Sequence, residues 1–170
     1  MMILVDSREH QHAIEGILEH FDRSGIRHAS TKLYVGDYQE VGNGLLVVDR
    51  KQSLLELISN VCQQHERFRN ELLRAEEAGI QLVILCEHGH GIRSLEDVAS
   101  WQNPRRRSSP KAMNGDRLAQ ILKTMTVRYG VEFRFCNKNE TGQKIVEILK
   151  DGRMDQATQE DHGERRLDRG

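Results

Sequence analysis

The stretch Leu33-Tyr34-Val35-Gly36-Asp37-Tyr38-Gln39-Glu40-Val41-Gly42-Asn43-Gly44-Leu45-Leu46-Val47-Val48-Asp49-Arg50-Lys51 decides how this chain folds. Its flanks, Leu33–Val35 and Leu45–Val48, are aliphatic, β-branched and aromatic, the composition of strands. Gly42-Asn43-Gly44 between them reads as a turn, because both residue types tolerate positive φ. A hairpin centred on Asn43 sets Val41 against Leu45, Gln39 against Val47, and Asp37 against Asp49. Side chains so opposed lie roughly 4.5–5.5 Å apart at Cβ. Alternation along the strand puts Lys51 on the face of Asp49. Two carboxylates and an ammonium therefore meet at one place. Like charges opposed across a ladder repel, and Lys51, Arg50 or a bound cation is what relieves them. A divalent ion takes hard carboxylate oxygens and leaves room for phosphate and water. The pattern is the minimum equipment for metal-dependent cleavage of a phosphodiester.

Outward from the hairpin, strands and helices alternate. Ile3-Leu4-Val5 is a short strand ending at Asp6. A helix over 10–24 follows, with Ala13, Ile14, Ile17, Leu18 and Phe21 at helical spacing, and Gly25 stops it. Beyond the hairpin, Ser53 caps a helix from Leu54, with Glu56 placed for a capping box. The polar run Gln63-Gln64-His65-Glu66 breaks it, and a second helix continues to Ala78. Gln81–Cys86 is a nearly unbroken apolar strand, as expected for one covered on both faces. A helix over 116–129, a strand over 131–136 and a helix over 141–149 close the pattern. The alternation predicts an α/β fold with helices on both faces of a sheet.

With 30% charged and 37% apolar residues in 170, the chain is expected to form one domain over 1–150. Residues 151–170 lack an apolar pattern and are expected to be a disordered tail. No run reaches membrane-spanning length, and Met1–Val5 reads as a strand rather than a signal peptide. Cys62, Cys86 and Cys136 are dispersed and odd in number, which fits thiols in a reducing, cytoplasmic setting. The formal charge is −1, and the tail alone carries −2. Global charge thus neither advertises nor excludes a nucleic-acid partner, and any attraction must come from local patches.

Asp6-Ser7-Arg8-Glu9, Val35-Gly36-Asp37-Tyr38 and Val48-Asp49-Arg50-Lys51 together resemble the nuclease domain of the XPF/MUS81 family, also called the ERCC4 domain. Glu66-Arg67-Phe68-Arg69-Asn70-Glu71-Leu72 resembles the family's helix after the active-site strand, and Leu82–Glu87 its next core strand. The likeness runs from about residue 2 to residue 150. It implies a restriction-endonuclease-like core, a central mixed β-sheet flanked by helices on both faces. It also implies cutting of branched DNA (flap, fork or junction) with Mg2+ or Mn2+. By resemblance Asp37 and Asp49 hold metal with help from Glu9, Lys51 is the catalytic lysine, Asp6 completes the acidic cluster and Arg50 supports it. The family's habit of pairing implies a homodimer.

Two positions depart from the family's pattern. Its usual Glu-Arg-Lys is here Asp49-Arg50-Lys51, and a shorter carboxylate draws an ion nearer the strand. Its acidic residue four places after the lysine is here Leu55, with Glu56 one step on, about 100° around a helix. These departures keep open a catalytically silent DNA-binding or scaffold subunit, beside a Holliday-junction resolvase-like nuclease. The chain is too short for the paired helix-hairpin-helix domains of eukaryotic members and looks more like the compact stand-alone proteins of bacteria and phages.

Outside the motifs, Trp101–Gly115 holds both prolines and a basic run. Arg105, Arg106, Arg107 and Lys111 are candidate phosphate contacts, weighed against a merely solvated loop. Arg67 is a further candidate, with a salt bridge on its own helix as the ordinary alternative. Trp101 is either a stacking platform or a loop anchor. Cys86-Glu87-His88-Gly89-His90 lacks the second ligand pair of a zinc site.

Overall fold

The computed structural model describes residues 1–89 and 91–152. Six strands form one mixed sheet: β1 (Met2–Asp6), β2 (Arg27–Thr31), β3 (Tyr38–Glu40), β4 (Asn43–Lys51), β5 (Gln81–Glu87) and β6 (Glu132–Cys136), in the order β2-β1-β3-β4-β5-β6. β1–β2, β4–β5 and β5–β6 are parallel, while β3 runs antiparallel to both β1 and β4. The helices are α1 (Gln11–Arg23), α2 (Leu54–Cys62), α3 (His65–Glu77), α4 (Leu95–Ser100), α5 (Gly115–Tyr129) and α6 (141–152). The tail expected over 151–170 lies, from residue 153 on, outside the described residues.

Alternation along β5 builds a core on each face of the sheet. Leu82, Ile84 and Cys86 pack with residues of α2, α3, α4 and α5, while Val83 and Leu85 pack with those of α1 and α6. This is why β5 reads as an unbroken apolar run. In β4, Val47 joins the first core and Val48 the second. The next residues continue the alternation, so Asp49 and Lys51 point toward α2 and α3 and Arg50 toward the α1 face.

The hairpin differs from expectation at its tip and not at its base. The chain reverses at Val41-Gly42, where Gly42 takes φ +92°, and Glu40 pairs with Asn43. Gln39 nonetheless faces Val47 and Tyr38 faces Val48, because an irregularity between Gln39 and Glu40 absorbs the offset. The register that brings Asp37 toward Asp49 is therefore the expected one.

Leu33–Val35 is not a strand. Leu33 N–H donates to Asp6 Oδ2 at 2.7 Å and Leu33 O accepts from Arg8 Nη2 at 3.3 Å, so side chains replace a ladder there. Gly36 then turns the chain at φ +64°. A Cβ at Gly36 would stand 2.5 Å from Val47 Cγ1 and 3.1 Å from Val48 O, so only glycine lets the loop lie this close to β4. The strand β2 carries no apolar signature because it is a half-exposed edge, held mainly by backbone pairing with β1.

Candidate active site

Asp37 follows the Gly36 turn, and its N–H donates to Val48 O at 2.9 Å. Its Oδ2 accepts from Arg50 N–H at 2.7 Å, which pins the carboxylate against β4. Asp49 stands close enough to the Asp37 carboxyl for its charge to act on it. Burial, then the charge of Asp49, then that of Glu9, push Asp37 well above the ordinary carboxylate range, and Lys51 only partly opposes this. Lys51 Nζ stands 3.0 Å from Asp49 Oδ1 and 2.8 Å from Oδ2. Asp49 Oδ2 is buried and receives no hydrogen bond of good geometry. Burial alone would lower the Lys51 ammonium, but Asp49 outweighs it and holds the group above its ordinary value. Lys51 is therefore a cation at neutral pH, with its Nζ 5.8 Å from the centre of the Phe68 ring.

Arg50 makes a second cluster on the opposite face. Its guanidinium lies 2.9 Å (Nε) and 2.8 Å (Nη2) from Glu9 Oε2, and Nη1 lies 3.2 Å from Glu87 Oε1. Tyr38 OH donates to the same Glu9 oxygen at 3.2 Å. Burial would lower Arg50, and Glu9 with its other neighbours more than restores it. Glu9 is thus engaged by Arg50 and Tyr38, although its charge still reaches Asp37. Among the described residues no three acidic, histidine or cysteine side chains converge as a metal cluster. Asp6 stands apart: Oδ1 accepts from Arg8 N and Nε, and Oδ2 from Arg8 Nη2 and Leu33 N. Burial would raise it, but these bonds keep it below the usual carboxylate value.

The Asp37–Asp49 pair fits a hard divalent cation. Two adjoining carboxylates, one driven toward protonation by burial and by the other, are a donor set that a cation satisfies.

Beside Lys51 lies a polar cavity of about 160 Å³ lined by Lys51, Glu56, Asn60, Gln64, Arg67 and Glu71, among others. Arg67 thus stands at the site. Glu56, whose Oε2 accepts from Gln52 N–H at 2.7 Å, also faces this cavity, while Leu55 packs against the core. The acid one step beyond the family position therefore does reach the site, because the wall of α2 that faces Lys51 includes it. Glu71 and Glu87 were not anticipated. Glu71 Oε1 accepts from Gly36 N–H at 3.2 Å and ties α3 to the Asp37 turn. Glu87 ends a strand whose apolar pattern masks it.

Arg105, Arg106, Arg107 and Lys111 are exposed and line no part of the Lys51 cavity. The three arginines ride a 3-10 turn over Pro104–Arg107, pinned by Asn103, whose side chain donates to Met113 O at 2.7 Å. Trp101 is a loop anchor: half-buried against the core and edge-on to His88, with ring centroids 5.6 Å apart. Since His88 follows β5, the loop springs from the end of the sheet that bears Lys51. His90 lies outside the described residues.

A mixed six-stranded sheet, covered by helices on both faces and carrying an acid pair and a lysine at the end of a hairpin, defines a restriction-endonuclease-like α/β fold. The ERCC4 domain family model matches residues 5–148, and the chain belongs to that family. Among solved structures it is similar to XPF from Aeropyrum pernix, at 20% identity and a TM-score of 0.61, covering 89% of this chain and 65% of that one. It is likewise similar to the same organism's XPF in complex with DNA, at 20% identity and a TM-score of 0.62, covering 90% and 65%. The chain thus spans about 65% of the length of those proteins. No curated protein matches it. Among the described residues no helix is long and apolar enough to cross a membrane.

Proposed function

We propose that this chain is a metal-dependent, structure-specific DNA endonuclease that hydrolyses a phosphodiester in branched DNA. The observation that carries this reading is the pairing of half-buried Asp37 with buried Asp49, and Lys51 Nζ 2.8 Å from Asp49 Oδ2. Membership of the ERCC4 family and likeness to an XPF bound to DNA support it.

In this reading Asp37 and Asp49 would hold Mg2+ or Mn2+, which would supply polarisation of the scissile phosphate and a lowered pKa for an attacking water. Asp37 is oriented by Arg50 N–H and kept in place by the Gly36 turn. Lys51, held as an ammonium by Asp49, neutralises charge growing on the phosphorane. It acts by its charge and hydrogen bonds and not as a base. Arg50 braces the strand through Glu9 and Glu87, and Asp6 holds the loop leading to Gly36. Arg67 reaches the phosphate flanking the cut, and Arg105, Arg106, Arg107 and Lys111 meet backbone farther along the duplex. The product carries a 5′-phosphate.

A nicking assay on flap, fork and four-way substrates, with magnesium, with manganese and with chelator, tests the reading. Cutting of a branched substrate that disappears with chelator supports it. Junction binding with no cutting in either metal would favour a silent scaffold subunit. Symmetric paired nicks by a dimer would favour junction resolution.

A further inference from the structure

A second depression lies on the other side of the α2–α3 junction from the Lys51 cavity: Asn60 and Gln64 line the first, Val61 and His65 the second. The second has a volume of about 340 Å³ and lies between the start of α3 and the outer side of α5. Arg69 of α3 and Arg117 and Arg128 of α5 rim it, and no acidic residue lines it. Among the described residues none of these three guanidinium groups has a carboxylate within ion-pair distance. The floor is different in kind. Ile121, Met125 and Tyr129 recur at helical spacing and remain half-exposed, with the Arg128 guanidinium 5.3 Å from the centre of the Tyr129 ring.

We propose that this groove binds an unpaired DNA strand leaving the cleavage site, the phosphates on Arg69, Arg117 and Arg128 and the bases on the Ile121–Met125–Tyr129 floor. The proposal rests on the nuclease reading and specifies the strand it handles. Three arginines without carboxylate partners around one groove call for a polyanion. A duplex would offer only phosphates and leave the apolar floor wet, whereas an unpaired strand also offers base faces. The two lie on opposite sides of α3: Arg67 faces the Lys51 cavity, while His65 and Arg69, about 200° around the helix from it, face the groove. A strand with its scissile phosphate at Lys51 reaches the groove by crossing the α2–α3 junction.

The test uses the full chain, in chelator so that nothing is cut, with labelled oligothymidylate and blunt duplex as probes. Replacing Arg117→Ala and Arg128→Ala together is expected to weaken oligothymidylate binding about tenfold. It should also reduce the slope of log affinity against log salt by about 0.7 per arginine. Blunt-duplex binding and thermal melting should stay as in the wild type. Tyr129→Ala is expected to weaken oligothymidylate binding without changing the slope. Unchanged affinity and slope in the double variant would overturn the proposal, as would an equal loss on blunt duplex. A shift from dimer to monomer with oligothymidylate binding intact would also overturn it and make the groove an interface between copies. If the wild type cuts branched DNA while the variants bind as it does, the groove fails and the nuclease reading stands. If the wild type neither binds nor cuts DNA, both fail.

Discussion

The backbone N–H of Arg50 donates to Asp37 Oδ2 at 2.7 Å. One carboxylate of the pair is thereby held by the strand that carries the other, so the two cannot drift apart to ease their repulsion. The site keeps that repulsion, which holds the Asp37 pKa above the ordinary carboxylate range.

Lys51→Ala and Asp37→Asn are expected to lower cleavage of a branched substrate by at least about a hundredfold. Junction binding in chelator should be retained. Lys51→Ala leaves Asp49 without its ion pair, so Lys51→Gln, which keeps a donor, provides the same test with less loss of stability. Cleavage surviving in all three would place the chemistry elsewhere.

Asp37 supplies a pH signature. Its pKa is raised in the folded state by burial, Asp49 and Glu9, so the folded chain binds that proton more tightly than the unfolded chain does. Stability without metal must then fall as pH rises from the ordinary carboxylate value through the raised one. Asp37→Asn removes the charge and should raise the metal-free melting temperature at neutral pH, by about 2–4 °C for each kcal/mol recovered. Mn2+ should stabilise the wild type increasingly with pH and the variant far less. Calorimetry across pH, with and without the ion, checks both.

Asp6 behaves oppositely. Its pKa is held down by Arg8 and Leu33 N–H, so its contribution is present above the ordinary carboxylate value and is lost as pH falls through the lowered one. Asp6→Asn should cost about 1–3 kcal/mol of unfolding free energy near neutral pH. Cleavage per folded molecule should change little, as judged by urea titration beside a nicking assay. A loss as deep as that of Asp37→Asn would return Asp6 to the catalytic cluster.

Glu87→Ala leaves Arg50 buried with only Glu9 as counter-charge. Breaking a buried ion pair from one side costs about 3–5 kcal/mol, and chemical denaturation should show a loss of that order. A change under about 1 kcal/mol would mean that Glu9 alone suffices.

Gly36→Ala meets two obstacles, the positive φ and a Cβ 2.5 Å from Val47 Cγ1. Destabilisation by more than about 1 kcal/mol is expected, together with loss of cutting, because the Asp37 turn must move. Full cleavage in this variant would show that the turn does not set the carboxylate.

Periodicity located α1, α2, α3 and α5, because each buries an apolar stripe repeated every three or four residues, and cap, glycine and polar-break signals set their ends within two residues of those observed. The edge strand β2 was illegible, since a strand paired on one side through its backbone needs no apolar code. Leu33–Val35 misled for the converse reason: Leu33 and Val35 are buried on either side of exposed Tyr34, but Asp6 and Arg8 satisfy the backbone of Leu33 in place of a ladder. The hairpin tip was misplaced, yet the site's register held because the irregularity lies between the tip and the site.

By itself the sequence determined the meeting of Asp37, Asp49 and Lys51, which follows from pairing and side-chain alternation within one hairpin, rules that act over nineteen residues. Tertiary structure alone decided that Arg50 turns away to Glu9 and Glu87, 41 and 37 positions distant. It also decided that Glu71 braces the Asp37 turn and that α3 and α5 leave a cationic groove between them. Those contacts depend on which strands are neighbours and which helices cover them, and neither composition nor local period encodes an adjacency between segments so far apart in the chain.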